Sequence, residues 1–89
     1  MSSTPDEAKI PRLHAQILAN LRIIHSDIVK PVVATGCDNG GTWYAMFWNN
    51  EGKVVDCVGD YQTAVAALRG LLRCTSREIY KKWLKDNSE

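Results

Sequence analysis

The chain has little of what usually places a protein at once. Its three cysteines, Cys37, Cys57 and Cys74, are odd in number and show no CxxC spacing. That argues against a disulfide framework or a zinc knuckle and fits a reducing compartment. Neither sign of charge is in excess, since eleven Lys and Arg stand against ten Asp and Glu. A general polyanion binder or an acidic nucleic-acid mimic is therefore not expected, although local patches are allowed. No stretch approaches the ~18 apolar residues of a membrane span, and residues 1–7 lack the basic region and apolar run of a signal peptide. The expectation is a soluble cytoplasmic product, complete from Met1 to Glu89, with no membrane partner.

Signatures of chemistry are scarce as well. There is no GxxxxGK or GxGxxG phosphate loop, and Asp38, Asn39 and Gly40 lack the remaining ligands of a calcium loop. His14 and His25 lie eleven residues apart on one helical stretch, ~16 Å along its axis, too far to share a metal. Cys37 would serve as a nucleophile only with a histidine brought near by folding, and no flanking pattern supports that. Asp56 reads as an outward strand residue and Asp60 as a helix N-cap. Neither an enzyme nor a cofactor is expected.

What is present is a run of aromatics. Thr42 to Trp48 holds four of the seven aromatic residues and no charge. As a strand it sends Trp43, Ala45 and Phe47 one way and Tyr44, Met46 and Trp48 the other, so neither face is polar and both need cover.

The remaining elements arrange themselves around it. Leu13, Ile17, Leu21, Ile24 and Ile28 recur at helical spacing, which predicts a helix from Pro11, a short way after a capping-box pattern at Thr4, Pro5 and Glu7, to near Val29 or Lys30 ahead of Pro31. Val32 to Thr35 reads as a strand. Asn39-Gly40 predicts a two-residue type I′ hairpin, which sets Gly36 opposite Trp43, Ala34 opposite Ala45 and Val32 opposite Phe47. Asn49 to Gly52 predicts a type I turn closed by a left-handed glycine and a bulge, leading into a third strand over 53–58. In that register Val55 and Cys57 join the core face, while Val54, Asp56 and Val58 join Tyr44, Met46 and Trp48. A second helix follows an Asp60 cap, with Tyr61, Ala64, Val65, Leu68, Leu71 and Leu72 on its apolar side. Thr75-Ser76-Arg77-Glu78 resembles a capping box, which predicts a break near Cys74 and a short third helix.

The fold class expected is α+β in the order α-β-β-β-α-α: a three-stranded antiparallel meander with two helices on one face and a short C-terminal helix. Residues 1–10 are expected to be flexible or loosely helical, 11–86 to form a single domain, and 87–89 to fray.

Two functional expectations follow. The first is a small non-enzymatic protein-binding module, acting as regulator, adaptor or inhibitor. Its surface is Tyr44, Met46, Trp48, Val54 and Asp56, together with Tyr80 and Trp83 of the last helix, and its partner is another protein or a second copy of the chain. The alternative is nucleic-acid binding. Residues 69–89 carry six basic residues against three acidic ones, and Arg69, Arg73, Arg77, Lys81 and Lys82 would supply a basic ridge. From Pro11 to Arg73 the helix-sheet-helix order resembles the outline of the double-stranded RNA-binding domain. Where that family places lysines at the start of the helix after the third strand, this chain has Asp60, Tyr61, Gln62 and Thr63. The step Gly59, Asp60, Thr63 and Ala64 after an aromatic strand is similar to that of HicB-like antitoxin domains. Membership of neither family is assigned.

Overall fold

A computed structural model describes residues 5–87, with side chains from residue 8. Expectations for the capping residue Thr4, and for residues 1–4 and 88–89, fall outside this range. Helix α1 spans Pro5–Ile24, strands β1, β2 and β3 span Val32–Cys37, Trp43–Trp48 and Val54–Tyr61, and helix α2 spans Ala64–Asp86. The fold is α+β, two helices and a three-stranded antiparallel sheet in the order β1-β2-β3. No helix among the described residues is long and apolar enough to cross a membrane.

Helix α1 starts before Pro11 and runs through it. Pro11 lies early in the helix, where it removes one backbone bond and leaves the stripe beyond it undisturbed. The far end comes sooner than Pro31 suggests. Past Ile24 the chain makes a turn, with Ile28 N–H donating to the His25 carbonyl at 3.0 Å. The buried stripe of α1 is Leu13, Ile17 and Leu21.

The two hairpins are built alike, which corrects the first turn. Asp38 N–H donates to the Thr42 carbonyl at 2.9 Å and Gly41 N–H to the Asp38 carbonyl at 3.1 Å. Asn49, Gly52 and Lys53 repeat that pattern. Gly41 has φ +83° and Gly52 φ +78°, so each loop is a type I turn closed by a left-handed glycine. In each, the leading side chain accepts two further backbone N–H groups: Asp38 Oδ1 from Gly40 and Thr42, Asn49 Oδ1 from Glu51 and Lys53. The expected two-residue loop at Asn39-Gly40 is absent. The longer loop shifts the register by one, and a shift of one turns every β1 side chain over.

Val33 therefore pairs with Phe47, Thr35 with Ala45 and Cys37 with Trp43. Val33 is buried and Val32 is 48% exposed, the reverse of the expected assignment. In β3, Val58 pairs with Ala45 and Asp56 with Phe47, while Cys57 pairs with Met46 and Val54 with Trp48. Two register irregularities interrupt this pairing, and Asp60 has φ +68° at the second.

Both helices pack on the Phe47 side. The core is Leu13, Ile17 and Leu21 of α1, Val33, Ala45 and Phe47 of the sheet, and Val65, Ala67, Leu68 and Leu71 of α2. Helix α2 touches all three strands and α1, whereas α1 touches β1 and α2. Gly70 allows the close approach of α2 to β3, since a Cβ there would collide with the Tyr61 hydroxyl.

The N-cap of α2 is Thr63, whose hydroxyl accepts from Ala66 N–H at 3.0 Å. Asp60 is not the cap. The expected break at Cys74 and the separate third helix are also absent, because α2 is one continuous helix of 23 residues. Thr75 is buried and its hydroxyl serves the helix interior, donating toward the Leu71 and Leu72 carbonyls at 3.1 and 3.0 Å. It also accepts from Asn20 Nδ2 of α1 at 3.0 Å. A hydroxyl occupied in this way has no N–H to cap. Past the contact of Asn20 with Thr75 and Ser76, α2 continues to Asp86 with Ile23 and Ile24 of α1 still beside it, and the chain reaches 53 Å in its longest dimension.

Candidate functional site

The corrected register leaves one sheet face with no described element over it. Val32, Ala34 and Gly36 of β1, Tyr44, Met46 and Trp48 of β2, and Val54, Cys57 and Gly59 of β3 lie opposite the helices. None of these side chains is charged. Tyr44, Met46 and Trp48 are each partly buried by their neighbours, whereas Val32 and Val54 at the flanks are about half exposed.

One end of this face is a fixed structure. Tyr44 reaches back to the first turn, where its hydroxyl donates to Asp38 Oδ2 at 2.5 Å. Its ring lies over Gly59, and a Cβ there would come within 2.9 Å of the Tyr44 ring. The Asp38 carboxylate thus ties the turn to β2 through three donors. The hydrogen bond that its hydroxyl donates to the Asp38 carboxylate raises Tyr44 to about 12. The same bond, with the backbone N–H of Thr42 and Gly40, holds Asp38 below its ordinary value.

The pH consequences have opposite signs. Tyr44, raised in the folded chain, contributes fully below its unfolded value near 10, and that contribution is lost as pH climbs toward about 12. Asp38, lowered in the folded chain, contributes above its unfolded value and loses this as pH falls through its folded one. Spectrophotometric titration of the tyrosines should show one step near 12 that Tyr44→Phe removes and Asp38→Asn moves back toward 10. A high step that survives Tyr44→Phe would show that Tyr44 is not the raised group.

At the other end the face opens into a shallow hollow lined by Val29, Lys30, Val32, Trp48, Asn49, Asn50 and Gly52. Its walls are held together by Lys30 N–H donating to Asn50 Oδ1 at 3.0 Å, which joins the approach to β1 with the second turn. Val29 is 77% exposed at its rim.

The residues expected to act together fall in three places. Tyr44, Met46, Trp48 and Val54 share the open face. Asp56 does not, since pairing with Phe47 puts it on the helix side at the sheet edge, where its carboxylate accepts from Cys57 N–H at 2.8 Å. Val58 moves to the helix side with it, and Cys57 takes the place on the open face assigned to them. Tyr80 and Trp83 lie on the C-terminal half of α2, 60% and 58% exposed, and since α2 packs on the Phe47 side neither covers the open face. Arg69, Arg73, Arg77, Lys81 and Lys82 are all exposed along α2.

The residues with potential chemistry remain apart. Cys37 is exposed at one end of β1, its thiol directed to the Asp38 carbonyl at 3.5 Å. His25 packs at the other end, its ring 5.5 Å from Phe47. The four residues from Val33, which faces Phe47, to Cys37 separate them by ~13 Å along the strand. No group of three or more His, Cys, Asp or Glu among the described residues could hold a metal ion.

Sequence reasoning missed the Asp38 hub, the Asn20 to Thr75 bond and the hollow beside Trp48. The first had a readable signal, because Asp38 and Asn49 each precede a glycine by three residues. The other two depend on residues brought together by the fold. Compared with models of known protein families, with curated proteins and with solved structures, the chain finds no match.

Proposed function

We propose that this chain is a non-enzymatic protein-binding module whose docking surface is the open sheet face centred on Met46 and Trp48. One observation carries the reading: both helices pack on the Phe47 side, and no described element lies over the uncharged face opposite. Aromatic and methionine side chains ringed by less critical apolar ones suit the centre of an interface.

Size bears on the choice of partner. Three strands ~4.8 Å apart and six residues at ~3.3 Å each give a face of about 300 Å². A standard interface takes about 800 Å² from each side. A flat footprint of this size falls short of a standard interface for any partner, so the docking surface extends to the hollow and rim at Val29 and Asn50, and the partner proposed is a different protein. A small regulator or adaptor with reversible binding fits that area.

The test is a comparison of variants in binding. The tagged chain should recover a protein from its host's extract, and Trp48→Ala should lose it while Trp83→Ala keeps it. The purified pair should then bind with an affinity that Trp48→Ala lowers at least tenfold, with the melting temperature little changed. Equal recovery by the wild type and Trp48→Ala would overturn the proposal, as would unfolding by Trp48→Ala at a surface read here as peripheral to the core.

A further inference from the structure

The continuity of α2 turns scattered basic residues into a surface. Arg69, Arg73, Arg77 and Lys81 recur at steps of four, ~6 Å apart along the axis and ~18 Å in all, drifting ~40° around the helix at each step. A break at Cys74 would have scattered this ridge. All four are exposed, on the side of α2 away from its buried residues Leu68, Leu71 and Thr75. Among the described residues Arg69, Arg73 and Arg77 form no ion pair, and Lys81 has one exposed contact with Glu78 at 3.7 Å. The spacing is shorter than the ~10 Å screening length at 0.1 M salt, so the charges reinforce one another toward an anion that spans them.

The far end of the ridge carries flat apolar surface. Tyr80 and Trp83 present their rings to solvent, 6.4 Å apart and within 19° of parallel. At ~100° per residue Tyr80 falls in line with Arg69 and Arg73, with Trp83 ~60° beyond it and Lys81 ~100° to the other side, so the rings flank the arginine part of the ridge. Exposed rings beside a row of cations are the two parts of a sequence-tolerant site for single-stranded nucleic acid, in which the cations follow the backbone and bases stack on the rings. A second copy of the chain would bring like charge against this ridge. A duplex would satisfy the cations but keep its bases stacked away from the rings.

We propose that the solvent face of α2 binds single-stranded nucleic acid, with the ridge from Arg69 to Lys81 on the phosphates and Tyr80 and Trp83 under the bases. This surface lies on α2 and is separate from the sheet face of the protein-binding reading, so either can fail without the other.

The test is fluorescence anisotropy of a labelled ~20-nucleotide single strand of mixed sequence, titrated with the whole protein over a range of salt. Four neutralised phosphates predict a slope of log K against log salt of about −2.8. Arg73→Ala with Arg77→Ala should reduce that slope by about half and weaken binding at least tenfold at low salt. Trp83→Ala keeps the charge, so it should weaken binding about tenfold and leave the slope unchanged. Circular dichroism checks that each variant keeps its helix. No binding at low salt would overturn the proposal. So would equal affinity for a duplex together with indifference to Trp83→Ala, which would mark a diffuse cationic surface. Binding to vesicles containing anionic lipid, without binding to the oligonucleotide, would assign the face to a membrane surface and equally overturn it.

Discussion

Phe47→Ala should cost the domain about 3–5 kcal/mol. Phe47 is the largest side chain that is fully buried, 1% exposed, and it belongs to a core shared by both helices and the sheet. Removing it takes a ring from the central strand, where neither neighbouring strand can close the gap. On one side it pairs with Val33, itself buried, and on the other with Asp56, an exposed carboxylate. His25, which packs against the ring, would lose that contact. An 89-residue domain has about 4–13 kcal/mol of stability in total. The variant should therefore lose about a quarter of the domain's stability at the upper end of that range and all of it at the lower end, and denaturant titration followed by circular dichroism measures the loss. A loss under about 1 kcal/mol would mean that Phe47 is not at the centre of the packing.

Ser76→Pro should be nearly as damaging, and it discriminates between two readings of the same residues. In a continuous helix the Ser76 N–H belongs to the interior ladder, so proline removes a bond and its ring strikes the carbonyl four residues back, costing about 3 kcal/mol. If Thr75 capped a new helix, Ser76 would be its first residue, where proline is favoured and the change would be neutral or stabilising. The side chain of Ser76 is exposed and accepts one hydrogen bond, from Asn20 at 3.2 Å, so little besides the backbone is altered. Because every described residue past Ser76 but the half-buried Ile79 is exposed, this end of the helix can melt instead of bearing the strain. Helical ellipticity falls in either case, by up to the signal of the segment 77–87. Unchanged ellipticity and stability would show that the helix is broken at Thr75.

That pair of readings explains what the sequence could and could not reveal. The elements of longest period were legible: the stripe of Leu13, Ile17 and Leu21, the aromatic strand and the meander all stand where spacing puts them. Errors arose where two local signals competed. Asn39-Gly40 is a strong signal for a two-residue loop, but the Asp38 carboxylate collects the Gly40 and Thr42 N–H groups and Tyr44 adds a third donor, so the longer loop prevails. A single residue of loop length then reversed β1, and the irregularities in β3 moved Asp56 and Val58 across the sheet. Thr75 to Glu78 has the composition of a cap, but composition does not reveal that Asn20, 55 positions earlier, will meet that hydroxyl inside a helix. Of the candidate site, the aromatic half was readable from alternation. Its boundary depended on register, and its rim at Val29 and Asn50 on contacts between distant segments.

The irregular pairing of β3 bears finally on how these chains behave at high concentration. A three-stranded sheet has two unpaired edges, and exposed edges are where chains join into aggregates or fibrils. The β3 edge is interrupted at two places and carries Asp56 and Asp60, features that discourage a further strand from adding in register. The β1 edge is a regular six-residue strand with no such interruption. Endless growth of a sheet requires two usable edges on every molecule, and this one offers one. Two chains joined edge to edge along β1 would use up that edge on both molecules, so pairing of this kind would stop at two.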